Sequence, residues 1–261
     1  MGKYRALFVI VVVVALLAAC SPEGGFGVVV GSGRLVTREE SFRDFDRLDV
    51  GSAFEVNVRQ GDSYQVTITV DENVVPYLDV AQVGSTLRIG LKPMTTVSSV
   101  TLRAEITMPE LVGLELSGAS RGRVNGFESS RDLTLGLSGA ASLTADVGAG
   151  NVRIDLSGAS SLDGSISGGD VHMGLSGASR VDLSGSGRNL TLGASGASHA
   201  DLGGFPVQDA SVEISGASTG RIDVSGRLEV GASGASHLSY RGTPTLGRIE
   251  TSGASTIDSE N

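Results

Sequence analysis

The second half of the chain alternates apolar and polar residues around a short motif that recurs about every 19 positions. Ser-Gly-Ala-Ser occurs seven times and a variant, Ser-Gly-Ala-Ala, occurs once; the eight copies begin at Ser117, Ser138, Ser157, Ser176, Ser195, Ser215, Ser233 and Ser252. Successive starts are 21, 19, 19, 19, 20, 18 and 19 residues apart. A period this steady is typical of proteins that stack one repeated structural unit.

Apolar residues occupy every second position on both sides of the motif. Leu133, Leu135 and Leu137 precede one copy, and Val181 and Leu183 follow another. This spacing predicts strands with one apolar face, and Asn, Asp and Gly mark turns between the units. A single unit cannot bury its own apolar face, but stacked units can. We therefore predict an all-β fold, a right-handed parallel β-helix or solenoid with coils of about 19 residues.

The motif itself predicts a corner between two strands. Gly is suited to turning the backbone, and the flanking serines are expected to stack into ladders that share hydroxyl hydrogen bonds. We expect the central alanines to point into the core, where only a small side chain fits; these are Ala119, Ala159, Ala178, Ala197, Ala217, Ala235 and Ala254.

Two other repeat architectures have similar periods. Leucine-rich repeats need a Leu-x-x-Leu-x-Leu pattern that this chain lacks. An antiparallel meander, with each motif as a hairpin loop, stays open, although hairpins favour Asn-Gly or Asp-Gly over Gly-Ala.

Residues 34 to 116 are less regular. They predict strands at Phe54–Val58, Gln65–Val70, Thr86–Leu91 and Val100–Thr107, with a turn at Gly61-Asp62. Asp71-Glu72-Asn73 could cap one helical turn that continues to Leu78. We interpret residues 34 to 116 as irregular first coils that cover the open end of the regular solenoid, residues 117 to 261, since an uncovered end would invite aggregation.

The first twenty residues predict export. Two positive charges, on Lys3 and Arg5, precede an apolar run from Leu7 to Ala19, which is too short to span a membrane comfortably and has the length of a signal-peptide core. The run ends Leu17-Ala18-Ala19-Cys20, which resembles the lipobox of bacterial lipoproteins. That resemblance implies cleavage of residues 1 to 19 and lipidation, including palmitate, of Cys20. Residues 20 to 33 are then expected to carry the lipid and act as a flexible tether.

Net charge and cysteine content limit the binding partners and the covalent links that the protein can have. Removal of the two leader cations takes the net charge from −9 to −11, which opposes binding to nucleic acid. Cys20 is the single cysteine, so an intrachain disulfide is impossible. Ser21, rather than Asp, follows the lipid-bearing residue, which favours the outer membrane if the cell has two.

Candidate catalytic and metal-binding patterns are weak. Ser120 and Ser218 each lie in a Gly-x-Ser-x-Gly sequence, but the repeat explains both. His199 and His237 fall in one column just after the motif, predicted to read Arg121, Ser142, Ser161, Arg180, His199, Thr219, His237 and Thr256, and lie too far apart to share a metal ion.

Aspartates align in a second column, at Asp163, Asp182, Asp201 and Asp258, with Asp146 and Asp223 two residues further along their repeats. We interpret this column as a solvated acidic face, with structural Ca²⁺ as the alternative. We expect no catalytic residue, cofactor or metal. A polysaccharide lyase remains the enzyme alternative, although the chain has only two lysines, Lys3 and Lys92.

Several segments together resemble a known bacterial family. They are Phe45–Val50, Phe54-Glu55-Val56, Gln60-Gly61-Asp62, Asp71-Glu72-Asn73, Leu87-Arg88-Ile89 and Met108–Leu111, leading into Leu116–Ser120. Residues 31 to 261 are similar to the putative auto-transporter adhesin, head GIN domain family. The resemblance implies a β-helical fold and a surface location, and it supplies no catalytic residues.

These observations predict a lipid-anchored module of the bacterial cell envelope that binds or scaffolds without catalysis, in the manner of an adhesin. A surface glycan or protein is the expected partner. The first alternative is an envelope accessory that binds another membrane protein, and the second is a carbohydrate-active enzyme.

Overall fold

The computed structural model describes residues 27–260, and these form 25 strands and one short helix. The first part contains β1 to β9: Val28–Val30, Leu35–Glu40, Arg47–Val50, Glu55–Gln60, Gln65–Asp71, Leu78–Val83, Thr86–Leu91, Thr96–Ser98 and Leu102–Met108. A 3-10 helix, Glu72–Tyr77, separates β5 from β6.

Sixteen further strands make eight coils, each with one strand before and one after a corner. They are β10 to β25: Gly113–Leu116, Arg121–Glu128, Leu133–Leu137, Ser142–Gly148, Val152–Leu156, Ser161–Ser167, Asp170–Leu175, Arg180–Ser186, Asn189–Ala194, His199–Val207, Asp209–Ile214, Thr219–Val224, Arg227–Ala232, His237–Arg241, Thr245–Thr251 and Thr256–Ser259.

The coils stack into a two-walled β-solenoid. Even-numbered strands from β10 onward lie side by side in one sheet and odd-numbered strands from β11 onward in another, and neighbours in both walls run parallel. Among the described strands the sheets have 11 and 12 members. The prediction of an all-β solenoid with coils of about 19 residues is confirmed, and the antiparallel meander is wrong.

The core fills the space between the two walls. The alternating apolar positions point inward and align from coil to coil; one such column is Leu114, Leu135, Ile154, Met173, Leu192, Val212 and Val230. Every member of this column is buried. Stacking in register thus provides the apolar burial that a single coil cannot achieve.

The corner motif faces the opposite way from our prediction. The central alanines are exposed, and the last serine of each motif points into the protein instead. The buried serines are Ser120, Ser160, Ser179, Ser198, Ser218 and Ser236, and the variant motif places Ala141 at the same buried position. The glycine before each alanine has a left-handed backbone, which turns the alanine outward and the following residue inward.

The corner glycines are required by two constraints. Their φ angles lie between +70° and +79°, a region that residues with a Cβ atom seldom adopt. A Cβ atom on Gly177 would also lie 2.5 Å from the carbonyl oxygen of Gly158 in the preceding coil. That close approach lets the N–H of Ala178 donate to the same oxygen at 2.7 Å. The backbone ladder therefore continues around the corner from one wall to the other.

Three of the buried serines use their hydroxyl groups locally. Ser120, Ser160 and Ser198 donate to the carbonyl oxygen three residues earlier, at 2.7 to 2.9 Å. The predicted ladder of shared hydroxyl bonds is found at one step, where the hydroxyl oxygens of Ser198 and Ser218 lie 3.3 Å apart. These bonds satisfy both the buried hydroxyl and a corner carbonyl.

The N-terminal part is not stacked in chain order. β3 and β4 pair with the first regular coil, β10 and β11, on one side, and with β7 and β9 on the other. The β3–β4 coil therefore lies between two layers that follow it in the chain, one formed by β7 and β9 and the other by β10 and β11. β2, β5 and β6 join antiparallel and cover this end of the stack. The four strands predicted here are present within two residues of their expected ends.

Part of the segment predicted as a flexible tether is held in place instead. β1 pairs with β8, and Gly33 donates its N–H to the buried carboxylate of Asp71 at 2.6 Å. Asn73 donates to the carbonyl oxygen of Val30 at 2.8 Å. Residues 28 to 33 are thus held by partners that are remote in sequence. We call β1 to β9, which cover this end of the stack, the N-terminal cap.

The corner geometry predicts the effect of a single methyl group. Gly177→Ala should destabilise the protein by about 2–4 kcal/mol because it combines a left-handed backbone with a backbone clash. Gly193→Ala is the matched control, since a Cβ atom there meets nothing nearer than the carbonyl oxygen of Met173 at 3.9 Å. Urea unfolding followed by circular dichroism measures both. Equal stability of the two variants would contradict this account of the corner.

Candidate functional site

The one predicted modification site, Cys20, lies outside the described residues, as does the leader. The candidate functional surfaces of residues 27–260 are therefore the two outer walls, the corners and the two ends of the stack.

The predicted column after the motif is confirmed by strand register. Arg121, Ser142, Ser161, Arg180, His199, Thr219, His237 and Thr256 follow one another across the 12-stranded wall. Thr219 separates the two histidines, and its hydroxyl oxygen lies 2.6 Å from Nδ1 of His199. The histidines therefore contact neighbouring threonines rather than each other.

Three of the aspartates are true neighbours. Asp163, Asp182 and Asp201 occupy consecutive coils, whereas Arg221 and Ser239 separate Asp201 from Asp258. Arg180 lies 3.6 Å from Asp182. Within residues 27–260, no three carboxylate, histidine or cysteine side chains are arranged to hold a metal ion. The column is an acidic face that arginines partly neutralise.

The two serines of the Gly-x-Ser-x-Gly sequences are inaccessible. Ser120 and Ser218 are fully buried at corners, and Ser120 donates its hydroxyl hydrogen to the carbonyl oxygen of Ser117. A nucleophile must reach its substrate, so these serines have a structural role.

The 11-stranded wall carries a surface depression that the sequence analysis did not find. One outward column alternates acidic residues with glycines, in the order Asp49, Glu115, Gly136, Asp155, Gly174, Gly193, Glu213, Gly231 and Glu250. Gly174 and Gly193 are adjacent in this column, and the absence of side chains there leaves a surface depression of about 480 Å³. We call this depression the glycine trough.

The glycine trough has a defined lining. Gly174 and Gly193 form its floor, and Asp155 and Glu213 stand at its two ends. The ends are three strand spacings apart, or about 14 Å. The first serines of successive motifs form one side: Ser157, Ser176, Ser195 and Ser215. Ser176, Ser195 and Ser215 donate their hydroxyl hydrogens to carbonyl oxygens of the preceding coil. The trough therefore offers serine and carboxylate oxygens as hydrogen-bond acceptors along its floor.

Carboxylates crowd at the start of the same column. Shielding from water raises the pKa of Glu115, and the neighbouring charges of Asp49 and Asp155 raise it further, while Arg47 opposes them. The negative potential of this wall thus favours neutral or basic ligands over anionic ones.

A second depression lies at the N-terminal cap. It encloses about 470 Å³ and is lined by Phe42, Tyr64, Glu39, Asp44 and neighbouring residues. Burial raises the pKa of the Tyr64 hydroxyl, and the negative charges of Asp44, Asp46 and Glu110 raise it further. The ring of Tyr64 packs 4.9 Å from that of Phe45, so the depression is built on the cap core.

One sequence signal could have revealed the glycine trough. Gly136, Gly174, Gly193 and Gly231 each lie two residues before a motif, where Glu115, Asp155, Glu213 and Glu250 stand in the other coils. The alternation becomes informative once the register shows that these positions share one outward column.

The fold and these surfaces define a class of protein, a two-walled β-solenoid. The chain belongs to the family described as putative auto-transporter adhesin, head GIN domain, whose model matches residues 44–244. The predicted family is confirmed. The family associates the protein with the bacterial surface or envelope, and comparison with curated proteins gave no match.

Solved structures share the fold at low sequence identity. A putative adhesin from Parabacteroides merdae is 18% identical, with a TM-score of 0.83 over 89% of this chain and 99% of that one. A putative adhesin from Parabacteroides distasonis is 16% identical, with a TM-score of 0.83 over 90% and 100% of the two chains. A putative lipid binding protein from the same species is 15% identical, with a TM-score of 0.82 over 90% and 100%.

In residues 27–260, no helix has the length and hydropathy needed to cross a lipid bilayer.

Proposed function

We propose that the protein is a lipid-anchored, non-catalytic binding module of the bacterial cell envelope. The observation that carries the proposal is the glycine trough, an accessible surface whose serines and carboxylates are regularly spaced along one wall. Stacked coils hold its lining in fixed register, so a ligand meets groups that are already positioned. The family description as an adhesin agrees with a binding role.

The anchor is supported by the sequence of the leader. Charge, length of the apolar run, the small residues Ala18 and Ala19, and Cys20 all agree with a lipoprotein signal. Several acyl chains on one residue hold a protein stably on a membrane, whereas one chain does not. Ser21 supports the outer membrane as the site of anchoring in a cell with two membranes.

The chemistry of the trough supports a neutral glycan as ligand. Serine hydroxyls and the carboxylates of Asp155 and Glu213 can accept hydrogen bonds from sugar hydroxyls. A length of about 14 Å accommodates a short oligosaccharide. The net charge of −11 after removal of the leader disfavours uronates and other anions, which also weakens the polysaccharide lyase alternative.

One feature supports the alternative of an envelope accessory that binds another membrane protein. β24 lies at the free edge of its sheet, and it exposes Leu246 and Ile249. An apolar strand edge of this kind can pair with another chain.

Lipidation can be tested at one residue. Cys20→Ala should abolish incorporation of a palmitate label, because the thiol that receives the lipid is lost. Ser21→Ala is the matched control and should label normally. Labelling of the Cys20→Ala variant would contradict the anchor.

Binding in the glycine trough can be tested by filling its floor. Gly193→Leu should weaken binding to neutral glycans selected on an array by about tenfold or more, while the fold tolerates it because the space above Gly193 is open. Gly204→Leu, on the opposite wall, has similar free space and is the control. Equal affinity of the two variants for the selected glycans would show that the trough is not the binding surface.

A further inference from the structure

Exposed apolar side chains are confined to the ends of the solenoid. Within residues 27–260, the large ones are Val28, Val30, Leu35, Tyr77, Val83, Met94, Leu246 and Ile249. The first six belong to the N-terminal cap and the last two to the final coil, so the coils between them carry none of these residues. Met94 is the most exposed, at 82%.

Four of the cap residues lie along one edge. Val28 is the register partner of Thr96 in the β1–β8 pair. The N–H of Thr95 donates to the carbonyl oxygen of Lys92, and the N–H of Lys92 donates to that of Tyr77. Met94 is in the turn between Lys92 and Thr95. These contacts place Val28, Tyr77 and Met94 near Lys92, and Val30 lies two residues further along β1, beside Ser98. We call these four residues the apolar edge.

The apolar edge is held rigidly. Lys92 donates from Nζ to the carbonyl oxygen of Pro76 at 2.7 Å, and Asn73 binds the carbonyl oxygen of Val30 at 2.8 Å. Met94 has a φ of +63°, a left-handed conformation that methionine seldom adopts. The cap thus holds a large apolar side chain in water on a strained backbone, a combination that points to a function.

The apolar edge lies where the chain arrives from Cys20. Gly27 directly precedes β1, and Cys20 is seven residues earlier. Seven residues can span at most about 25 Å. Because β1 and β8 run parallel, Gly27 extends β1 on the side where Thr95 and Met94 precede β8. A lipid on Cys20 therefore keeps Met94 close to the membrane surface.

We propose that the apolar edge inserts into the interfacial layer of the bilayer that holds the lipid anchor; the inference rests on the proposed lipidation of Cys20. Tyr77 and Lys92 have side chains suited to this layer, with an apolar body and a polar end. The negative net charge indicates zwitterionic rather than anionic lipid. The anchor supplies the affinity, and the apolar edge fixes the orientation. The final coil then points away from the membrane.

The protein contains no tryptophan, which allows a direct test. Met94→Trp introduces one fluorescent reporter at the apolar edge, and Leu246→Trp places a matched reporter at the far end. The lipidated proteins are reconstituted in phosphatidylcholine vesicles with brominated acyl chains. Met94→Trp should lose about half its emission, because an interfacial side chain reaches roughly 5–10 Å into the acyl boundary, and Leu246→Trp should keep its emission. Adding Val28→Ser and Val30→Ser to Met94→Trp should reduce the quenching.

Flotation of the vesicles separates the two claims. If the proteins float but Met94→Trp is quenched no more than Leu246→Trp, the apolar edge does not insert, while the anchor stands. If the wild-type protein purified from membranes does not float, the lipid anchor is wrong and this inference fails with it.

Discussion

The structure depends on the hydrogen bond that links successive corners. From the second regular coil onward, the N–H of the motif alanine donates to the carbonyl oxygen of the glycine one coil earlier, at 2.7 to 2.8 Å. That contact requires a residue without Cβ and with positive φ. It carries the backbone ladder around the turn, so neighbouring coils stay in the same register on both walls. This register aligns the buried serines, the apolar columns and the outward columns from coil to coil.

A register fixed by the corner and the core leaves the outer walls free to carry function. The column with the histidines varies from coil to coil, and the column on the opposite wall alternates between carboxylates and glycines. Two adjacent glycines suffice to open the glycine trough without changing the fold. Binding specificity in such a protein can therefore be altered at a few outward positions while stability is kept. The cap adds a second surface, which we infer faces the membrane.

Much of the fold could be predicted because equivalent positions of the repeated motif align in successive coils. The spacing of the motif identified the coils, and that spacing alone aligned His199 with Thr219 correctly. The direction of Ala119 could not be read from sequence, because the alternation of inward and outward residues breaks where Gly118 adopts a left-handed backbone. The N-terminal part has no repeat. Nothing in its sequence therefore indicates that β9 pairs with β4, or that the β3–β4 coil lies between two later layers. The glycine trough is lined by residues from four coils, and it becomes visible once these coils lie side by side.

Amide hydrogen exchange at the corners tests the central claim most directly. The alanines at these corners have exposed side chains, and in ordinary surface turns their N–H groups would exchange quickly. If the corner bonds hold the coils in register, the N–H groups of Ala159, Ala178 and Ala197 should exchange as slowly as those of the flanking strands. Exchange as fast as that of the exposed Met94 turn would contradict the account and would leave the alignment of the coils to the apolar core alone.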